Sequence, residues 1–332
     1  NEAFARGLYE AGCSFVSSYP GTPSTEITEY AAKYKEIYAE WAPNEKVAME
    51  SAFGASLAGK RSFCGMKHVG LNVAADPLFT LSYTGVNGGM VIVTADDPSM
   101  HSSQNEQDNR HYARSAKIAL IEPSDSQECI DYLKEAYRIS EQFDMPVLFR
   151  TTTNISHSKS LVTFSERAEP APSAYTRDPA KYCCSPANAY RNHPKVERNL
   201  KALETYGSSS PLNRMEIRGG KVGVITASVA YQYAKDVFPE DTSFLKLGLT
   251  NPLPMELIRR FAAQVETLYV IEELDGFMEE QIMAAGIPCI GKALVSNMYE
   301  LNPQRLRELL FGVKPETKEL NVKPVSRKAA RA

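Results

Sequence analysis

The residue whose type and setting most suggest chemistry is Glu50, in the run from Asn44 to His68. Asn44 suits an N-cap and Gly59 a C-terminal stop, so the pattern predicts one helix over 45–58. Along it Val47, Glu50, Ser51, Gly54, Ala55 and Ala58 recur at the three-and-four spacing of a single face. Apart from its one carboxylate and Val47, that face is built of very small residues, which would let a backbone or a flat ligand come close. A buried glutamate is costly unless it is hydrogen-bonded or stays protonated. At the edge of the stripe it would simply reach water. The spacing alone leaves both placements open.

Three further stretches carry donors and acceptors at places where a sheet could present them. Pro20-Gly21-Thr22-Pro23-Ser24 follows the apolar run Cys13–Tyr19, with Thr22 able to cap a helix that Pro23 begins. Lys67-His68-Val69-Gly70-Leu71-Asn72 follows Arg61–Met66, and a helix is expected from it to about Tyr83. Asp96–Arg110 follows the strongly apolar Gly88–Ala95 and has almost no apolar side chains of its own. A loop that long in a compact domain is usually functional or disordered.

These stretches require an alternating scaffold. Strands at 37–41, 118–121 and 147–150 and a helix over 125–142 complete a first unit of about six strands and intervening helices. Such alternation implies a mostly parallel, doubly wound sheet. Ligands bind such sheets outside the carboxyl ends of the strands, so the three loops should share one mouth. Residues 157–214 are punctuated by prolines and read as a structured linker with a helix over about 194–205. A second α/β unit follows over 215–312, with strands at 221–226, 244–247, 268–272 and 287–291 and helices at 228–237, 254–264, 276–284 and 303–311. Its Glu272-Glu273 pair is expected at a solvated strand end. Residues 313–332, rich in Lys, Arg and Pro, read as a basic linker or tail.

The totals narrow the function classes. The 332 residues are enough for two cores. A net charge of −3 offers no electrostatic case for nucleic acid. No apolar run approaches a membrane span, and Asn1–Arg6 lacks the basic start of a signal peptide. Six cysteines without a Cys-x-x-Cys point to a reducing cytoplasm and to no zinc or iron–sulfur site held by this chain. A serine-hydrolase elbow and a Walker phosphate loop are missing. The first residue is not Met, which suggests a fragment or a trimmed chain.

Four long motifs then resemble, in order, the α subunits of the indolepyruvate:ferredoxin oxidoreductase family. They are Tyr19–Ser24, Glu40–Val47, Met66–Pro77 and His101–Arg110. The resemblance covers residues 1 to about 155, with weaker similarity over 215–312. It implies two doubly wound parallel-sheet domains: a thiamine-enzyme pyrimidine-binding domain over 1–156, then a transketolase C-terminal-like domain. It implies an oxidoreductase converting aryl 2-oxoacids to acyl-CoA with thiamine diphosphate, Mg2+, [4Fe-4S] clusters, coenzyme A and ferredoxin. A diphosphate-binding domain and a β subunit would be partners in an oligomer, and this chain alone should not turn over. Glu50 then becomes the carboxyl that hydrogen-bonds the aminopyrimidine ring, with Gly21, Thr22, His68, Gly70 and Asn72 beside the cofactor. Thr22 would also lie near the substrate carboxylate. Related pyruvate enzymes carry an Arg where this chain has Asp96, which disfavours a pyruvate-type pocket. Ser102, Ser103, Gln104 and Arg110 are the expected substrate contacts, on a mobile selector loop, with Arg110 gripping the carboxylate.

Overall fold

The computed structural model describes residues 1–314; most of the expected basic tail at 313–332 lies outside the described residues. The first unit runs α1 (Glu2–Glu10), β1 (Phe15–Ser18), α2 (Thr25–Ala31), β2 (Tyr38–Trp41), α3 (Glu45–Leu57), β3 (Ser62–Lys67), α4 (His68–Val73), α5 (Ala75–Thr84), β4 (Met90–Asp96), α6 (Arg110–Ala116), β5 (Ala119–Ile121), α7 (Ser126–Phe143), β6 (Val147–Thr152) and α8 (Thr153–His157). The connecting stretch holds α9 (Pro179–Tyr182) and α10 (Pro186–Gly207). The second unit runs β7 (Arg214–Glu216), β8 (Val222–Ala227), α11 (Ala230–Val237), β9 (Ser243–Leu247), β10 (Leu249–Asn251), α12 (Met255–Ala262), β11 (Thr267–Ile271), α13 (Phe277–Ala284) and α14 (Pro303–Phe311).

Seven strands form the first sheet in the order β10-β5-β6-β4-β3-β1-β2, all parallel except β10. Its central strands β3, β4 and β6 are buried along nearly their whole length because helices cover both faces. The second sheet, β11-β8-β9-β7, is parallel apart from β7. Two strands of the second unit were not visible in the sequence. One is the three-residue β7. The other, β10, leaves its own unit and pairs antiparallel with β5, so the first sheet is completed from more than 120 residues downstream. The strand expected at 287–291 shrinks to a single bridge between Ile290 and Tyr269.

The connecting stretch is more helical than its prolines suggested. Ser185 caps α10, Pro186 takes the first helical position where no N–H is needed, and the helix continues through Pro194 for 22 residues. Before it, residues 158–178 strap the underside of the first sheet. The Ala168 N–H donates to the Glu10 carbonyl at 2.8 Å and the Ser173 N–H to the Gly59 carbonyl at 3.0 Å.

The two units meet through buried charge at the carboxyl ends of their strands. Glu272 and Glu273, expected in solvent, are 2% and 5% exposed. Glu272 accepts from Arg110 Nη1 at 2.5 Å and from the Met278 and Glu279 N–H groups that begin α13. The Arg110 guanidinium also donates to the Asp108 carboxylate and to the Glu273 and Asp275 carbonyls. Beside it Arg150 donates to Asp96 at 2.6 Å and to Glu122 at 2.5 Å, and Thr250 of β10 closes on Glu122 at 2.7 Å. Burial pushes Asp108 up, but the neighbouring Arg110 guanidinium prevails and holds it well below the usual carboxylate range.

Three polar atoms of this network have no partner among the described residues: Asp96 Oδ1, Arg150 Nη2 and one oxygen of Glu273. The other Glu273 oxygen accepts from the Leu301 N–H at 2.9 Å. Burial pushes its carboxyl up to about 7, against the pull of the Leu301 N–H and of Arg150 and Arg110, with Glu300 adding to the rise. Tyr233 also faces it. Between its ordinary value of 4.5 and about 7, Glu273 is protonated when folded and ionised when unfolded. The fold therefore loses stability as pH climbs through that window, by on the order of 3 kcal/mol, and the term is constant above it. Glu273→Gln should flatten the decline and raise the melting temperature at pH 8 more than at pH 5. Equal shifts at both pH values, read by thermal denaturation, would show that the carboxyl is ionised throughout.

Candidate functional site

The expected mouth forms at the carboxyl ends of β1, β3 and β4, which lie side by side. The first loop is folded by its own short side chains. Gly21 N–H donates to Thr25 Oγ1 at 2.8 Å, and Ser24 Oγ donates to the Gly21 carbonyl at 2.9 Å. Ser24, rather than Thr22, is the residue before α2, so Thr22 is free of capping and stands exposed at the rim. Gly21 sits directly over Lys67: a Cβ added there would stand 3.0 Å from the lysine Cβ.

The second and third loops are bound to each other. Asn109 Nδ2 donates to the His68 carbonyl at 3.0 Å and to Thr94 Oγ1 at 2.6 Å. Asn72 and Gln107 exchange amide hydrogen bonds of 2.7 and 3.1 Å, and the Tyr112 hydroxyl donates to Asn72 Oδ1 at 2.6 Å. His68 is fully buried, with Nε2 3.2 Å from the Asn105 carbonyl. A carbonyl only accepts, so Nε2 carries the hydrogen, and the buried Nδ1 has no partner among the described residues.

Asp97 anchors the root of the long loop. Its carboxylate accepts from the Ser102 N–H at 2.9 Å, Ser103 Oγ at 2.5 Å and Thr153 Oγ1 at 2.8 Å. Burial pushes Asp97 up, yet these donors outweigh it and hold the carboxyl below its ordinary value. Ser99 and Glu106 close the loop on itself, and Ser99 Oγ accepts from the Glu300 N–H at 2.8 Å. The long loop is thus held by polar side chains in place of the apolar anchors it lacks.

Two site residues are also corrected. In α3 the stripe carrying Glu50 faces outward: Glu50, Gly54 and Ala58 are exposed, while Ala48, Met49, Ala52 and Ser56 are buried. Both stripes are rich in small residues, and Met49 decides which one packs inward. Arg110 is not a substrate grip either. It is 2% exposed and spent on Asp108 and Glu272. Ser103 is committed to Asp97, whereas Ser102 and Gln104 are exposed on the rim.

The carboxylate that does enter the mouth is Glu45, in the first turn of α3. Asn44 Oδ1 accepts from the Val47 N–H at 3.0 Å and fixes that turn at the carboxyl end of the sheet. Glu45 packs against Gly70 so closely that a Cβ there would stand 2.6 Å from Oε1. Glu50 lies five residues on, roughly 7.5 Å further along the helix axis and away from the strand ends. The missed signal was position: the first helical turn after a β-strand lies nearest the mouth, whatever the periodicity beyond it.

The chain is similar to known proteins over most of its length. The family model described as pyruvate flavodoxin/ferredoxin oxidoreductase, thiamine diphosphate-binding, matches residues 6–205. The indolepyruvate oxidoreductase subunit IorA of Archaeoglobus fulgidus is 41% identical over 95% of this chain and 54% of its own length. That of Pyrococcus horikoshii is 39% identical over 93% and 51%. The chain therefore spans about half the length of the curated relatives it matches. The fold is similar to a 2-oxoglutarate:ferredoxin oxidoreductase from Magnetococcus marinus, with TM-score 0.75 and 18% identity over 93% of this chain and 64% of that one. A split-gene transketolase matches with TM-score 0.60 and 15% identity, over 93% of this chain and 95% of its own. Among the described residues no helix is long and apolar enough to cross a membrane.

Removing Arg110 should act on stability rather than on substrate. Arg110→Ala would leave Asp108 and Glu272 buried without their cation, a change that costs about 3–5 kcal/mol in comparable buried pairs. The urea midpoint of the chain should fall accordingly. An unchanged midpoint together with a raised Michaelis constant in the complete enzyme would restore the substrate role.

Proposed function

This chain belongs to the pyruvate flavodoxin/ferredoxin oxidoreductase thiamine diphosphate-binding family, and on that premise we propose that it is the pyrimidine-side part of an enzyme that oxidatively decarboxylates aryl 2-oxoacids. The similarity to IorA subunits at about 40% identity supports indolepyruvate as a substrate. Coenzyme A would take the acyl group and ferredoxin the electrons. Mg2+, [4Fe-4S] clusters, a diphosphate-binding domain and a β subunit would come from the rest of the assembly.

The observation that carries this reading is Glu45 against Gly70. The mouth fits the aminopyrimidine half of thiamine diphosphate: it offers an acidic group at the sheet edge and two glycines, Gly21 and Gly70, that keep Cβ atoms out of it. Bound thiamine diphosphate supplies the nucleophilic carbon and the electron sink that decarboxylation of a 2-oxoacid needs. Glu45, in place of Glu50, would hold a proton at ring nitrogen N1′, general-acid–base work open to a carboxyl within hydrogen-bond reach of the ring. His68 and Asn72 would line the cofactor side by keeping α4 fixed to the long loop. Thr22, with its hydroxyl exposed at the rim, would stand near the substrate carboxylate, and Ser102, Ser103 and Gln104 would border the substrate. The outward stripe of α3 continues into exposed Val73 and Phe79. We assign this surface to packing against the diphosphate-binding domain, which would bury it.

In the complete, assembled enzyme Glu45→Gln should lower turnover by ~10²–10⁴, the usual worth of a general acid or base, with the fold intact. Glu50→Gln should stay close to wild type. C2 proton exchange of the bound cofactor, followed by NMR, should slow in the first variant only. The opposite pattern would return the role to Glu50.

A further inference from the structure

A 2-oxoacid carries a carboxylate into the mouth, and a cation there would bind it more strongly than neutral donors alone. The charged side chains around the three loops are nearly all engaged. Arg110 is enclosed by Asp108 and Glu272, and Arg150 by Asp96 and Glu122. His101 lies 3.1 Å from Glu300, and Lys46 2.8 Å from Asp76. Lys67 differs from all of them.

Lys67 is the last residue of β3, and its aliphatic stem runs beneath Gly21. Its Nζ donates to the Ser102 carbonyl at 2.5 Å. Among the described residues no carboxylate comes within 4 Å of that ammonium, so its charge is unpaired. One neutral acceptor also leaves two of its three N–H donors for a ligand. The nearby acid, Asp97, feels the Lys67 charge, but its hydrogen bonds go to Ser102, Ser103 and Thr153 rather than to the ammonium. The side chain thus runs from the Gly21–Thr22 turn, which its stem touches, to the Ser102 carbonyl at its head, the two places where a substrate would be bordered. Beside it in sequence, the buried His68 Nδ1 is an acceptor with nothing to accept. That is a second sign of an interior shaped for a polar ligand.

We propose that Lys67 is the carboxylate anchor of the mouth, the residue that selects a 2-oxoacid over an uncharged carbonyl compound of the same shape. This rests on the function assigned above. A lysine acts as a point charge on a flexible stem, whereas an arginine imposes a planar fork. It can therefore follow a carboxylate whose position shifts with the size of the attached side chain, as a pocket for bulky 2-oxoacids requires. The Ser102 carbonyl keeps the ammonium at the rim in the meantime, and Gly21 keeps its path clear.

The test uses the assembled enzyme with thiamine diphosphate, and the variants Lys67→Met and Lys67→Arg. Phenylpyruvate and its uncharged amide are compared as competitors of indolepyruvate turnover. Wild type should bind the acid in preference to the amide. Lys67→Met, which keeps the stem and loses the charge, should raise the Michaelis constant for indolepyruvate about 10- to 100-fold, the range of a charge-assisted hydrogen bond, with a smaller change in kcat. It should also bring the acid and amide close to parity, while Lys67→Arg keeps part of the preference. If Lys67 only holds the loop, acid and amide weaken together and the preference survives, which overturns the proposal. A wild-type enzyme that takes no aryl 2-oxoacid overturns this inference and the assigned function together. A wild-type enzyme that takes them, with Lys67→Met keeping the preference, overturns the role of Lys67 alone.

Discussion

Two guanidinium groups in a dry interface determine how the rest of the molecule can be arranged. Arg110 and Arg150 stand where the carboxyl ends of both sheets converge, and both are almost inaccessible to water. Isolated charges there would cost several kcal/mol each, so their partners must be placed with little freedom. Those partners come from β4, the loop that follows it, the end of β5 and the end of β11. The Asp108–Arg110–Glu272 contact fixes the second sheet against the first. The Asp96–Arg150–Glu122 contact fixes β4, β5 and β6 to one another, and through Thr250 it holds the exchanged strand β10. Lys246 repeats the device lower in the interface: it is fully buried and bound to Glu128 at 2.5 Å and to Tyr132 at 2.6 Å.

The same network explains why a loop with almost no apolar side chains is well formed. Its two ends are set by Asp96 and Arg110, both inside the network, and between them Asp97, Glu106, Gln107 and Asn109 satisfy the backbone or one another. A polar segment needs this pairing, since a buried group left unpaired costs about 1–3 kcal/mol, more than a typical hydrogen bond contributes. This hydrogen bonding has a functional consequence. It keeps the Ser102 carbonyl in range of Lys67 and the Asn109 amide on the His68 carbonyl, so β1, β3 and β4 present one wall.

Most of the scaffold was legible because its signals are local. Apolar runs such as Met90–Ala95 can only be buried strands in an alternating chain, and Asn44 and Asp125 cap where their neighbours require it. The errors arose where a decision depends on the other unit. Arg110 reads as a ligand grip until Glu272 arrives from 162 residues away, and Glu272 and Glu273 read as solvated until Arg110 covers them. The strand β10 is three residues long and acquires its identity only by pairing with β5. The Glu50 error is different in kind. Helical spacing marks two stripes of small residues in α3, and nothing local says which faces the sheet. Glu45 could have been found by asking how far each carboxylate lies from the strand ends.

Electrostatics ties the interface to the mouth. The carboxyl groups of Asp96, Asp108, Glu122, Glu272 and Glu273 outnumber the two buried guanidinium groups, and they lie at the sheet edge that an anionic 2-oxoacid must approach. Were all of them ionised, the edge would repel its ligand through low-dielectric surroundings where screening is weak. Burial counters this by keeping the proton on Glu273 up to about 7. Part of the acid excess is thereby carried as neutral carboxyl. The paired guanidinium groups cancel much of the remainder, and Lys67 is left as the local positive charge that the mouth presents outward. Holding the arginines inside while leaving a lysine at the rim gives an acidic chain a mouth able to receive an acid.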